Sequence, residues 1–165
     1  MSAVSIYYLS MTSPNQLVEK VEAKGLSVIE AEIDEYRLNK YLYQLVGEQW
    51  QWQDKQHQSD DAWKAYVESP ALKTWVAYYR GTIAGYFELK SDGEGCTEIA
   101  YFGLAPAFIG RGYGGYLLSQ AIKQAWAIEG TTRIEVNTCS LDHEAALKNY
   151  IARGFQLVRE EVSGS

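Results

Sequence analysis

Cysteine, histidine and proline are scarce in this chain, with two, two and three copies among 165 residues. Cys96 and Cys139 are far apart and form no Cys-x-x-Cys pair, which excludes a disulfide framework and a cysteine zinc site. His57 and His143 show no metal-ligand spacing either, so no metal is expected. No apolar run approaches the ~18–20 residues that a membrane helix needs. The N-terminus, MSAVSIYYLS, has neither the basic nor the apolar region of a signal peptide, and a cytoplasmic location without a membrane partner is expected. Basic charge is in the minority: 15 Lys+Arg against 21 Asp+Glu give a net charge of −6. That balance argues against nucleic acid as the main partner. Without a repeat, a low-complexity stretch or a linker, residues 1–165 read as one domain.

What the chain does have is 47% apolar and 22% charged residues, the composition of a globular protein with a sizeable core. Five Trp and thirteen Tyr fit a ring-rich core and equally a ring-lined pocket. Val4–Leu9 reads as a strand, and Pro14–Ala23 as a short helix with proline at an early position. Tyr36, Leu38, Tyr41, Leu42 and Leu45 recur at helical spacing within Asp34–Gly47. After the polar stretch Gln51–Asp61, a helix begins near Ser59 or Asp60 and runs to Glu68. From residue 72 the pattern turns to strands: 72–80 and 82–90 around a hairpin signal at Gly81-Thr82, then 97–104 after the turn SDGEG. A helix over 112–129 follows, with Leu118, Ile122, Ala125 and Trp126 as its apolar stripe. Strand Thr132–Cys139, helix Asp142–Arg153 closed by Gly154, and strand Phe155–Val162 complete the chain. An antiparallel meander followed by β-α-β-α-β predicts an α+β (mixed α/β) fold.

The most chemically specific segment is LAPAFIGRGYGGYLL, residues 104–118. Four glycines lie between a strand and an amphipathic helix, where backbone N–H groups can approach an anion and the helix N-terminus adds partial positive charge. Residues 99–128 contain Arg111 and Lys123 but no carboxylate, which supports a phosphate or pyrophosphate cradle. Glycines that only satisfy tight turns would read the same way. Tyr116 follows Gly115 where a P-loop needs Lys, so a Walker-type nucleotide site is excluded. Gly110, Gly112 and Gly115 match G-x-G-x-x-G, and Glu135 lies near the distance of a ribose carboxylate. The strands leading to this loop are hairpin-linked rather than parallel, which makes a dinucleotide-binding domain the weaker reading.

Two motifs carry a resemblance. EIAYFGLAPAFIGRGYGGYLL, residues 98–118, is similar to the acetyl-CoA motif of the GNAT superfamily of N-acetyltransferases, and NTCSLDHEAALKNYIARGF, residues 137–155, is similar to that superfamily's C-terminal strand–helix. The wording resembles a bacterial subgroup, and the match covers about 72–160. It implies a GNAT fold, with a central, mostly antiparallel sheet of six to seven strands flanked by helices, and acetyl-CoA as acyl donor. Backbone amides around Gly110, Arg111, Gly112, Tyr113, Gly114 and Gly115 would hold the pyrophosphate. The strand end Phe102-Gly103-Leu104 would pair with the pantetheine arm, beside a splayed strand 132–138. Ile109 departs from the family's Gln or Arg, which predicts weaker donor binding because the cradle is mainly backbone. His143, also counted with the cofactor contacts, stands where the second motif often has Asn.

Acetyl transfer needs a neutral amine, a polarised thioester and a proton for the leaving thiolate. By resemblance Tyr150 matches the general acid near the sulfur, although a core ring would look the same. Glu98, at the start of the strand entering the cradle, resembles the position of a catalytic glutamate acting through one water. Glu88 is its reserve, and His143 is a further candidate base. Substrate contacts are expected from Trp50, Trp52, Tyr86 and Glu88, near Asp54, Asp60, Asp61 and Trp63. Rings with carboxylates suit a cationic primary amine, on a small molecule or a peptide. A solvated acidic loop over an aromatic core explains the same residues. The expectation is thus direct transfer in a ternary complex, with a non-catalytic acyl-CoA-binding sensor or interaction module as the alternative, and a homodimer left open.

Overall fold

The computed structural model describes residues 3–163, apart from 51, 53, 143 and 144. Seven strands form one sheet: β1 (Val4–Met11), β2 (Leu26–Glu30), β3 (Leu72–Tyr79), β4 (Thr82–Ser91), β5 (Cys96–Leu104), β6 (Arg133–Cys139) and β7 (Gln156–Ser163). Four helices pack on it: α1 (Tyr36–Gly47), α2 (Asp60–Glu68), α3 (Gly114–Ala127) and α4 (Ala145–Ala152). The order across the sheet is β2-β3-β4-β5-β6-β1-β7. Only β5 and β6 run parallel; the other neighbours are antiparallel. The mixed α+β architecture and the seven-stranded count agree with expectation.

Both faces of the central strands are covered, so β4 is a continuous buried run over residues 84–89 rather than an alternation. Trp75 and Phe87, stacked with ring centroids 5.2 Å apart, face the large core with Leu117, Leu118 and Ile122 of α3. Val76 and Tyr86 face the opposite side, against Leu42 and Val46 of α1. Ser59 caps α2 by accepting from the Ala62 N–H at 3.1 Å, and Asp60 and Asp61 in its first turn suit the helix dipole.

Three expectations are corrected. Pro14–Ala23 is not a helix: only a 3-10 turn over Pro14–Gln16 forms, closed by a capping box between Ser13 and Gln16. Beyond it the backbone bonds to other elements, Val18 N–H to the Arg153 carbonyl at 2.9 Å and Lys20 N–H to Ser119 Oγ at 2.9 Å. Strand β2, which has no counterpart in the expected elements, follows directly. The hairpin turn lies one residue earlier than predicted, on Arg80 and Gly81, with φ of 49° and 86°. Two successive positive φ values match the strand twist as a type I′ turn does. Finally, α1 buries Asn39, Leu42, Tyr43 and Val46, while Tyr41 is exposed. Asn39 is turned inward because its amide donates to Thr74 and to Glu88 in the core.

Candidate active site

The sheet is split at its centre. Strands β5 and β6 pair only through Cys96–Arg133, Thr97–Ile134 and Glu98–Glu135, and both continue unpaired with each other beyond that point. On its other edge β5 stays bonded to β4, with a bulge: Glu88 faces Tyr101, Leu89 faces Ile99, and Ala100 is the extra residue. A bulge bends its strand and redirects its side chains. The backbone of Phe102, Gly103 and Leu104 on the β6 side is therefore free to pair with something other than protein. A cavity of about 1030 Å³ occupies the split.

The glycine loop forms one end of this cavity. Gly110 and Gly112 have φ of 81° and 85°, a region that side-chain-bearing residues avoid. Helix α3 then begins at Gly114 with no side-chain cap on its first N–H groups, leaving donors and a positive dipole end facing the cavity's glycine wall. A Cβ on Gly112 would stand 2.7 Å from Lys24 Nζ, and one on Gly115 would collide with the Arg153 guanidinium and meet the Lys20 side chain. The absence of Cβ atoms thus lets Lys20, Lys24 and Arg153 come close to the loop backbone, which brings three cations beside it. Lys20, on the segment expected to be helical, and Lys24, just beyond it, were not anticipated. Arg111 is exposed and extends over the Phe108 ring, so only its backbone belongs to the cradle.

Tyr150 and Glu98 line the same cavity. Tyr150, 5% exposed on α4, is wedged between Phe102 and Phe155, with centroids at 6.1 and 5.9 Å. Burial, with the Asp142 carboxylate adding to it, pushes its phenol well above the ordinary range, so the hydroxyl holds its proton at neutral pH. Asn149 of α4 donates to the Gly114 carbonyl at 3.1 Å and ties this helix to the start of α3. Glu98 is the last β5 residue paired to β6, half-buried where the split opens.

Trp50 and Trp52 also line the cavity. Trp52 bridges its two walls: its indole N–H donates to Asp142 Oδ1 at 3.1 Å, while Asp142 Oδ2 accepts from Thr138 Oγ1 at 2.6 Å and from the Cys139 N–H at 3.1 Å. Gly103 lets α1 approach, since a Cβ there would run into Val46. Tyr86 and Glu88, expected to touch substrate, do not line the cavity. They are 0% and 1% exposed, because alternation along β4 turns them under α1 and α2. Glu88 instead accepts from Asn39 at 2.8 Å and from the Tyr66 hydroxyl at 2.5 Å. Burial raises its pKa, against the opposing pull of Tyr66, Asn39 and Lys55. Of the expected acidic cluster, Asp54 reaches the cavity and Asp60 pairs with Lys40 at 3.1 Å on the surface. His143 lies outside the described residues. Among the described residues no cluster of His, Cys, Asp and Glu could hold a metal, and no helix is long and apolar enough to cross a membrane.

Lys55, Tyr66 and Tyr101 are cavity residues that the sequence did not disclose. Lys55 sits in QDKQH, a string that reads as solvated loop, and Tyr101 differs from other tyrosines only in standing after the bulge. Asp142 carried a faint signal as an Asx residue between a strand and a helix.

A family model described as the acetyltransferase (GNAT) family matches residues 39–155. Among solved structures, a GCN5-related N-acetyltransferase from Sphaerobacter thermophilus superposes with a TM-score of 0.70 at 15% identity, covering 98% of this chain and 51% of that one. A GCN5-related N-acetyltransferase from Kribbella flavida gives 0.65 at 16% identity, covering 94% and 56%. An aminoglycoside acetyltransferase from an uncultured soil metagenomic sample gives 0.62 at 14% identity, covering 79% and 88%. Such identities speak for the fold alone, and the chain spans about half the length of the first two structures. No curated protein matches the sequence. With the family model covering most of the chain and the split sheet carrying the glycine loop, the chain belongs to the GNAT acetyltransferase family.

Proposed function

We propose that the protein transfers an acetyl group from acetyl-CoA to a primary amine by direct attack in a ternary complex. The observation that carries this reading is the continuity of the cavity. One space joins the glycine loop and uncapped start of α3, the unpaired inner edge of β5, Tyr150 and Glu98. A pyrophosphate suits this end of the cavity, because Gly110 to Gly115 and the uncapped start of α3 offer backbone N–H donors and Lys20, Lys24 and Arg153 approach the same loop.

When bound, acetyl-CoA supplies an acyl group activated as a thioester. The amides of Gly110 to Gly115 hold the anionic end, and the Phe102–Leu104 backbone orients the pantetheine arm by continuing the sheet. Glu98 takes the acceptor's ammonium proton through a water, which frees the nitrogen lone pair for attack on the carbonyl. As the new N–C bond forms and the C–S bond breaks, Tyr150 would donate its phenolic proton to the leaving sulfur, and the surplus proton on the new amide nitrogen would then return to the Tyr150 phenolate. Its raised pKa keeps that proton in place at neutral pH.

Thermal unfolding with acetyl-CoA, with NAD and without ligand tests donor binding. Ligand at ~100 times its Kd stabilises by about 2.7 kcal/mol, which is several degrees of Tm for a domain of this size. A rise with acetyl-CoA and none with NAD is expected, lost in Gly112→Trp. No rise at saturating acetyl-CoA would sink the reading. With a working amine, Tyr150→Phe is expected to lower kcat by about 10²-fold and to leave the acetyl-CoA response intact. Full activity in that variant would remove Tyr150 from the chemistry. Donor binding without turnover of any amine would favour a binding module.

A further inference from the structure

Lys55 lies on the irregular segment between α1 and α2 and points its ammonium into three rings. Nζ is 2.8 Å from the Tyr66 ring centroid, 4.8 Å from that of Tyr101 and 5.4 Å from that of Trp63. The rings are fixed from outside. Tyr66 donates its hydroxyl to Glu88, Tyr101 donates to Asp54, and Tyr43, edge-on to both Trp63 and Tyr101, donates to the other oxygen of Asp54 at 3.0 Å. The carboxylates nearest the lysine are therefore already engaged by phenols. Nζ is enclosed and makes no hydrogen bond among the described residues. A lysine kept for structure normally pairs with a carboxylate; among the described residues this one makes ring-face contacts and no hydrogen bond through Nζ. Lys55, Tyr66, Tyr101, Asp54 and Glu98 all border the cavity that contains the glycine cradle.

We propose that Lys55 is an internal stand-in for the acceptor: the Trp63, Tyr66 and Tyr101 cage is the subsite for the acceptor's ammonium group, and a substrate must displace Lys55 to enter it. This rests on the acetyltransferase reading above. Three aromatic faces with Asp54 and Glu98 alongside select a compact cation, and an occupant carried on a four-carbon stem shows the shape that fits, a primary ammonium on an unbranched alkyl chain. Glu98 lines the same cavity and acts through space on the Lys55 ammonium, so a cation bound in the cage shares the cavity with the carboxylate assigned to take its proton. Lys55 acts as a threshold for specificity. A cation that competes poorly with the tethered lysine is excluded, whereas one with additional contacts to the cavity displaces it.

The test uses n-butylammonium, with n-butanol as its uncharged counterpart, on wild type, Lys55→Ala and Lys55→Met. In Lys55→Ala the vacated cage is expected to bind n-butylammonium, read as a Tm rise that n-butanol does not produce and that wild type, with the cage filled, does not show. With acetyl-CoA present, Lys55→Ala is expected to form N-butylacetamide about tenfold faster than wild type at low amine concentration, the loss of one competing cation–π contact. Equal rescue by n-butanol would overturn the proposal, because the cage would then respond to volume and not to charge. Rescue by n-butylammonium without a gain in product, in a variant that still answers to acetyl-CoA, would overturn the acceptor assignment while leaving the acetyltransferase reading standing. Should Lys55→Ala not fold, Lys55→Met carries the test: its uncharged side chain competes less than lysine, so the KM for n-butylamine is expected to fall, and an unchanged KM would overturn the proposal. Loss of the acetyl-CoA response in wild type itself would be the separate failure of the parent reading.

Discussion

A carboxylate without solvent around it is the least expected group in this core. Glu88 is nearly fully buried, held by Tyr66 and Asn39, with burial as the dominant influence on its pKa. Its folded pKa lies above the unfolded one. Its contribution to stability is therefore fully present below the ordinary carboxylate pKa and is lost as pH rises through the folded value. Glu88→Gln keeps the size and one acceptor oxygen but cannot ionise. Denaturant unfolding of both proteins from about pH 4 to pH 7, below the range where Lys55 titrates, is expected to show the variant gaining on wild type as pH rises. Burial pulls the Lys55 ammonium down to about 8, against the nearby Glu88 and Asp54 carboxylates, so it stays charged across that window. A constant difference between the two proteins would mean that Glu88 does not titrate there. None of this was legible at residue 88, because a glutamate in a strand reads the same whether helices cover that face or water does.

Among elements, the decisive arrangement is the wedge between β5 and β6, and Asp142 is what spans it. This carboxylate accepts from Trp52 on one wall and from Thr138 and the Cys139 N–H on the other. Asp142→Ala leaves three donors without their acceptor, at a cost of about 1–3 kcal/mol for each group that stays buried and unsatisfied. The expected outcome is a lower unfolding midpoint in denaturant together with a red shift of tryptophan emission as Trp52 loses its partner. A variant with unchanged stability and emission would show that the bridge is not maintained in solution. The strands on either side were predictable from their own residues. Their divergence was not, since it depends on Val46 of α1 and Trp52 meeting β5 near Gly103, and on Trp52 bonding Asp142 some 90 positions away.

For the molecule as a whole, a net charge of −6 would repel a polyanionic donor, yet the cradle end of the cavity is positive. Lys20, Lys24 and Arg153 meet around Gly112 and Gly115, where the first turn of α3 adds its dipole. An attraction of this local kind is screened by salt. Acetyl-CoA affinity is therefore expected to fall as sodium chloride rises from about 0.05 to 0.5 M, and Lys24→Gln is expected to flatten that dependence. A salt-insensitive affinity would mean that the three cations do not face the ligand. Composition alone could not locate this patch. Lys20 lies on the Pro14–Ala23 segment expected to be a helix and Lys24 directly after it, and docking of this segment along α3 and α4 brings them to the glycines.

By itself the sequence determined the elements from residue 34 onward and the glycine loop, and its contiguous motifs pointed, by resemblance, to Tyr150 and Glu98, both of which line the cavity. Each of these follows from local information: a repeat of apolar positions, a capping serine, the absence of Cβ atoms, or a motif contiguous in the chain. Tertiary structure alone decided which β4 side chains are covered, that Lys55 enters a cage of rings, and that Lys20 and Lys24 stand beside the cradle. Burial and charge pairing depend on what packs against a residue from elsewhere in the chain. For Glu88, Lys55 and Lys24 those neighbours come from elements distant in sequence.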